Sequence, residues 1–440
     1  MSDGLGSSKR PTWSPLYVSV IVVIVVICER NCLSHGVFGS DEREMKVKTF
    51  RNAMKLGVDR LDLLQPVNEK FINPLPPGRA WVEHTTIPRL SHLILDGMTP
   101  DQATGTIRAE WVQDARLKQS KHQPAERVIL YIHGGAYVVG SPASHRPITW
   151  RMSKHAQARI FAPRYRLAPK HVFPLALQDV LCAYLYLVDP PSPVNYRYAP
   201  EQIVFMGDSA GGGLAWAAML YIRDHAGKFP MPAGICGIAP WLDLTHLMPS
   251  FLDNGKWDYL PTRTKDPKHT NKDRLFPYVK HNDDMPNPYV SPLYAKEDPN
   301  VPICPVLIQI GEAERLRDES IYWAFERFKN SPVRLEMMED QVHVYHLFES
   351  SKSIAGKSYQ RFGEFIREVT SLKGRPFVVG DRAVLIRNQR PAYPIESLKD
   401  PLRFVREGLE RRGQRLEDVG RWLDARARLD CLQGECEYEY

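Results

Sequence analysis

Short stretches along this chain carry the pattern of sheet strands. Ile107–Val112 alternates apolar and polar positions, as a half-buried strand does. Val128–Ile132, Arg159–Ala162, Ile203–Met206, Gly234–Ala239, Val306–Ile310 and Val333–Met337 read as further, largely apolar sheet strands. Stretches of helical character lie between them. The predicted fold class is therefore α/β, a mostly parallel central sheet flanked by helices. Near the C-terminus, Leu402, Val405, Leu409, Leu416, Val419 and Leu423 recur at three- and four-residue spacing, which predicts a helix within Ser397–Leu429. Glu407–Arg411, Glu417–Arg421 and Asp424–Arg428 are supportive i,i+4 pairs, while Gly408, Gly413 and Gly420 weaken the helix and Arg412 interrupts its face. Such a helix packs on its own domain, pairs with a second copy or lies on a membrane surface.

One strand-to-helix junction stands apart. The apolar run Ile203–Met206 leads into Gly207-Asp208-Ser209-Ala210-Gly211, and Gly212–Leu220 then reads as a helix. A sharp turn there places the Ser209 hydroxyl at its apex, beside the positive end of the helix dipole. Glycines flank the serine because side chains would clash with strand and helix.

A second junction precedes it. The buried run Val128–Ile132 is followed by His133-Gly134-Gly135-Ala136-Tyr137. Acyl transfer puts negative charge on a former carbonyl oxygen, and backbone N–H groups unobstructed by side chains stabilise it. Gly134, Gly135 and Ala210 are the candidate oxyanion donors.

These motifs occur in a fixed order with two more, Tyr165-Arg166-Leu167-Ala168-Pro169 and Phe173–Asp179. Together they closely resemble the hormone-sensitive-lipase-like branch of the α/β-hydrolases, which includes arylacetamide and steryl-acetate deacetylases and many carboxylesterases. The resemblance spans roughly residues 107–372. It implies serine esterase activity, a lid over the pocket and a triad in the chain order Ser, acid, His.

The acid follows from that resemblance. Gly311-Glu312-Ala313-Glu314-Arg315-Leu316-Arg317-Asp318-Glu319 resembles the family loop in which Asp-Pro-Leu precedes Arg-Asp-Glu. Glu314 then takes the catalytic-acid position, with Glu312 and Asp318 as alternatives. The chain departs from the pattern twice, with glutamate for aspartate and Arg315 for proline. Asp318 has a second reading as a helix N-cap. The family carries its histidine in a short loop after the last strand. His343 fits that frame, and His346 fits the opening of a helix better.

In this reading His343 removes the Ser209 proton as Ser209 attacks an ester carbonyl. The resemblance points to a short acyl or acetyl ester of a lipophilic alcohol. The alternatives are an amidase, or a degenerate hydrolase that binds a small ligand. No cofactor or metal is expected, since the chain has neither an H-E-x-x-H sequence nor a paired Cys-x-x-Cys frame.

Composition changes the picture little. A net charge of +7 over 440 residues, with no basic-aromatic cluster, gives no reason to expect nucleic-acid binding. The seven cysteines are odd in number and mostly isolated, so they define no disulfide framework. Cys182, Cys236 and Cys304 lie in apolar runs as buried thiols, and Cys431 and Cys436 are placed to pair.

The N-terminus is more informative. Lys9 and Arg10 precede the uncharged run Leu16–Cys28, which Glu29-Arg30 ends. A bilayer span takes about 20 residues and a signal core about 7–15. With no small-residue cleavage site after it, the run fits an uncleaved signal anchor; a cleaved signal and a buried element remain open. Resemblance to anchored deacetylases implies a membrane protein of the endoplasmic reticulum, or a secreted one if the segment is removed. Arg30, Arg43, Lys46 and Lys48 compete with Lys9 and Arg10, so orientation stays open.

The expected organisation is thus a tail with an anchor over 1–41, a hydrolase over 42–372 and a C-terminal extension over 373–440. The hydrolase includes an N-terminal lid portion and a polar insert over 245–295. That insert carries Phe251, Trp257, Tyr259, Phe276, Tyr278 and Tyr289, and reads either as a surface excursion or as a wall of the substrate pocket.

Overall fold

The parallel heart of the molecule is built from its most apolar segments. The computed structural model describes residue 75 and residues 78–117, 125–191, 197–261, 276–347, 353–372, 374–389 and 392–427. Its strands are β1 (Ala80–Pro88), β2 (Thr106–Asp114), β3 (Val128–Ile132), β4 (Arg159–Pro163), β5 (Ile203–Asp208), β6 (Gly234–Ile238), β7 (Val306–Gly311), β8 (Val333–Met338), β9 (Ala383–Ile386) and β10 (Ile395–Ser397). They form one sheet in the order β1-β2-β4-β3-β5-β6-β7-β8-β9-β10. Strands β4 through β9 in that order pair in parallel; β1 with β2, β2 with β4 and β9 with β10 pair antiparallel.

Helices cover both faces. In chain order they are α1 (Arg146–Ala156), α2 (Leu175–Val188), α3 (Ser209–Asp224), α4 (Arg317–Tyr322), α5 (Ile354–Val369), α6 (Arg403–Glu410) and α7 (Leu416–Ala427). Alternation along β3 sends Val128, Leu130 and Ile132 into the core beneath α2 and α3, and Ile129 and Tyr131 into the core beneath α1 and α5. That two-sided burial explains why the central strands read as continuous apolar runs.

The strand order reverses at β3. The chain leaves β3 for β4 on one side, then crosses back through α2 to β5 on the other. Ile132 at the end of β3 lies opposite Gly207 in β5. The loops leaving these two strands must therefore diverge from one point, the place where open α/β sheets bind ligands.

The C-terminal stretch extends the sheet. Strand β9 pairs with β8 and β10 with β9, so the segment expected beyond the hydrolase is continuous with it. Both strands are short, which hid them from the apolar pattern. The single helix expected over Ser397–Leu429 is two helices, α6 and α7, after a strand that ends at Ser397. The chain breaks at Gly413, where φ is +66°, a conformation glycine adopts without a side-chain clash. The expected apolar face is real, but it is turned inward: Val405, Leu409, Val419 and Leu423 are buried in the domain's own core. The apolar stripe considered for self-association is thus used internally. Among the expected charge pairs, the structure instead joins Arg411 and Arg412 to Asp253, and Asp424 to Arg327 and Lys296.

Cys182, Cys236 and Cys304 are buried free thiols. Among the described residues no helix is long and apolar enough to cross a membrane. The Leu16–Cys28 run, most of the N-terminal lid portion, and the Cys431–Cys436 pairing lie outside the described residues.

A chain ending at Leu372 should expose the β8 edge and the apolar surface that α6 and α7 cover. It is expected to aggregate on expression under conditions where the full chain stays soluble. A soluble, cooperatively unfolding truncated chain of unchanged midpoint would show that the extension is only an appendage.

Candidate active site

Strand β5 ends at Asp208 and α3 begins at Ser209 with no intervening loop. Ser209 pays for that sharp turn with φ of +52°, a left-handed conformation rare for a residue with a side chain. The turn is possible because α3 leans directly on the end of β3. A Cβ on Gly211 would lie 2.1 Å from the Ile132 carbonyl oxygen and 2.4 Å from that of His133. Ser209 is half-buried, whereas the rest of the first helical turn is buried.

The loop after β3 is strained in the same sense. Gly135, Ala136 and Tyr137 have φ of +118°, +52° and +62°. Its neighbours hold it there. The Tyr165 hydroxyl donates to the His133 carbonyl at 2.8 Å, and the Tyr165 ring stacks on His133 at 4.3 Å. The Ala168 N–H donates to the Tyr137 carbonyl at 2.9 Å. Asp179 accepts from the Arg166 N–H at 2.8 Å and from the Arg89 guanidinium at 2.7 Å, which anchors that prop in turn. The two linking motifs of the sequence thus buttress the loop.

One sequence expectation is corrected here. The Gly134 N–H, read as an oxyanion donor, donates to Asp208 Oδ1 at 3.0 Å. It is committed to a buried carboxylate. No hydrogen bond among the described residues takes up the N–H of Gly135 or of Ala136. The available donors are shifted one residue along the chain. Asp208 also accepts from the Tyr131 hydroxyl at 2.6 Å and sits 3.4 Å from His145 Nε2. Burial alone would raise its pKa, but His145, Tyr131 and the Gly134 N–H outweigh burial and hold it at about 2.

The remaining candidates come from loops after β7 and β8. His343 Nε2 lies 2.9 Å from Ser209 Oγ. Glu314 Oε2 lies 4.0 Å from His343 Nδ1, beyond hydrogen-bond length. Glu314 is fully buried, and its Oε2 accepts the Gly311 N–H at 3.0 Å. The other two acids are engaged elsewhere. Asp318 accepts from the Ser250 N–H at 2.9 Å and from Arg317 at 2.8 Å, a structural role at the start of α4. Glu312 accepts from the Asp340 N–H at 3.1 Å. His346 lies in a short helical turn and bonds Ser358 on the far side of the loop.

Burial dominates the electrostatics of the pair. It raises the Glu314 carboxyl well above its usual range, with the nearby Asp258 charge adding to the effect. It lowers His343 to about 3, against a small opposing pull from Asp208. Both shifts favour neutral forms. A neutral imidazole is the form that can accept a proton from a hydroxyl at Nε2.

Asp258 was not anticipated from sequence. It lies in the polar insert, where no hydrophobic period marks it, bracketed only by Trp257 and Tyr259. The insert does approach the site. Tyr278 stacks on Tyr137 with ring centroids 3.8 Å apart, Phe276 packs edge-on against Trp241 at 5.2 Å, and Tyr259 lies 6.0 Å from His343. Asp208 was legible in principle, being inside the serine motif itself.

Residues 129–347 match a family described by its alpha/beta hydrolase fold. The chain is 32% identical over 267 residues to an acetyl-hydrolase of Streptomyces hygroscopicus, covering 60% of this chain and 81% of that protein. Among solved structures, EstE5 soaked with p-nitrophenyl butyrate aligns with a TM-score of 0.56 at 29% identity, over 80% of this chain and 98% of that one. A hormone-sensitive lipase from a metagenome library aligns with a TM-score of 0.54 at 26% identity, over 74% and 98% of the two chains. With motif order, strand topology and shared sequence in agreement, the chain belongs to the α/β-hydrolase fold family, in its hormone-sensitive-lipase-like branch.

Proposed function

We propose that this chain hydrolyses carboxylic esters of short acyl groups, with Ser209 as nucleophile, His343 as base and Glu314 as the acid that orients it. The observation that carries the reading is the 2.9 Å approach of Ser209 Oγ to His343 Nε2 at the N-terminus of α3. His343 takes the hydroxyl proton as the serine oxygen attacks the ester carbonyl carbon. The N–H groups of Gly135, Ala136 and Ala210 stabilise the oxyanion. The bond to the alcohol breaks, and the alcohol leaves with the proton from His343. Water then attacks the acyl-enzyme, His343 taking its proton, and the acid is released with Ser209 restored. The Glu314–His343 gap of 4.0 Å closes as the imidazole gains charge, since active-site hydrogen bonds are often long before substrate binds.

The short-acyl preference draws support from the acetyl-hydrolase relative and from the butyrate ester used with EstE5. A lipophilic alcohol, of the steryl-acetate or arylacetamide kind, suits a membrane-held enzyme. The Leu16–Cys28 run supplies the anchor in this reading, and the endoplasmic reticulum is the proposed location.

The purified chain should hydrolyse p-nitrophenyl acetate and butyrate faster than long-chain esters. Ser209→Ala should cut turnover by at least about 10³-fold and abolish fluorophosphonate labelling. A folded chain with neither turnover nor labelling would falsify the esterase reading and favour a ligand-binding role.

Glu314→Gln should lower kcat by about 10²-fold or more, because the amide no longer balances the imidazolium. Asp318→Asn should mainly lower the unfolding midpoint, through its lost bond to Arg317. The opposite pattern, seen in parallel kinetics and thermal melts, would move the acid to Asp318.

A further inference from the structure

We propose that Asp258 is a positioning residue, a carboxylate that fixes the Glu314 loop against the His343 loop and so sets the separation of acid and base. The proposal rests on the catalytic reading of Ser209, His343 and Glu314 given above.

The geometry is that of a shared acceptor. Asp258 is fully buried. Its Oδ2 accepts the Arg315 N–H at 2.7 Å, one residue beyond Glu314. Its Oδ1 accepts the His343 N–H at 3.3 Å and the Tyr259 N–H at 2.8 Å. The two loops leave adjacent parallel strands, β7 and β8, and are also joined nearer those strands by the Ala313 N–H donating to the Gln341 carbonyl at 2.9 Å and the Asp340 N–H donating to Glu312 at 3.1 Å; Asp258 adds the tie that reaches Arg315 and His343. One ionised group between them gives each a charge-assisted hydrogen bond.

The rest of the segment reinforces the contact from the other side. The Arg315 guanidinium donates to the carbonyls of Phe251 and Gly255. Asn254 Nδ2 donates to the Glu314 carbonyl at 2.7 Å, and Ser250 Oγ donates to the Arg315 carbonyl at 2.7 Å. Residues 250–259 therefore form a bracket whose only carboxylate reaching the base loop is that of Asp258. Arg315 stands where the resembled pattern has proline, a residue with no N–H. The chain thus carries a buried donor at that position, and the insert supplies its acceptor.

The acid–base gap makes small movements matter. At 4.0 Å, Nδ1 and Oε2 lie about 1 Å beyond a good hydrogen bond, and displacements of that size are worth about 10²-fold in rate. Burial pushes the Asp258 carboxyl up to about 6, while the Arg315 and His343 N–H groups act to keep it charged. An asparagine has the same shape but a single acceptor oxygen. Its NH₂ would face either the Arg315 N–H or the His343 and Tyr259 N–H groups and push that segment away.

The test uses the full-length protein in detergent, with p-nitrophenyl butyrate as substrate. Asp258→Asn should lower kcat by about 30-fold with KM within about 2-fold. In a Glu314→Gln background the same change should add less than about 3-fold, because both act through His343. Asn254→Ala, which removes the bracket's bond to the Glu314 carbonyl, should lower kcat by about 3-fold, again without moving KM, and serves if Asp258→Asn fails to fold. Unchanged kcat in either folded variant, or a loss fully additive with Glu314→Gln, overturns the positioning role. Absence of Ser209-dependent turnover in the unmodified protein overturns the catalytic reading itself, and the role of Asp258 with it.

Discussion

Asp208 Oδ1 accepts hydrogen bonds from the Gly134 N–H and the Tyr131 hydroxyl, and the rest of the site depends on that bridge. Gly134 follows β3 and Asp208 ends β5, so one carboxylate joins the two diverging chain segments at the point of strand-order reversal. The bridge fixes which N–H groups of the glycine loop stay open. With Gly134 committed, the loop can only present those that follow. The strained φ values of Gly135, Ala136 and Ser209 are held by this tie, by the contact of α3 with β3 and by the Tyr165 prop.

The electrostatic character of the site follows from its dryness. Glu314, Asp258 and His343 are all buried, and the Asp258 charge adds to the effect of burial in raising Glu314. Burial disfavours charge on Glu314 and His343, whereas the backbone N–H groups of Arg315, His343 and Tyr259 act to keep Asp258 charged. Asp208, by contrast, keeps its charge through its hydrogen bonds. Glu314 and Asp208 are thus shifted in opposite directions, the first by burial and the second by its hydrogen bonds.

Much of this was legible in sequence because the signals were local. The apolar runs became β3 to β8 because parallel strands covered on both faces keep few polar positions, such as Gln309 in β7 and Arg334 and Glu336 in β8. Ser209 and His343 were legible from their place after strands. Glu314 was less so, since three candidate acids lie within seven residues and only folding shows which one comes to lie beside His343. Which N–H groups of the glycine loop stay open is a tertiary matter, set by where Asp208 points. Asp258 was invisible because its meaning is entirely tertiary: it is 57 residues from Arg315 and 85 from His343 in sequence. Strands β9 and β10 were too short for a period, and the broken helix turned on one left-handed glycine.

The C-terminal helices also impose an order in time. Asp253, five residues before Asp258, is gripped by Arg411 and Arg412 of the α6 end, and Gly408 of α6 packs against Pro249. A ribosome releases the serine, the acid and the histidine before it releases these arginines. The nascent chain therefore holds Ser209, Glu314 and His343 while the segment beside them still lacks its contacts with Arg411 and Arg412. Completion of that support waits on residues 403–412, which follow the sheet-edge strands β9 and β10 along the chain.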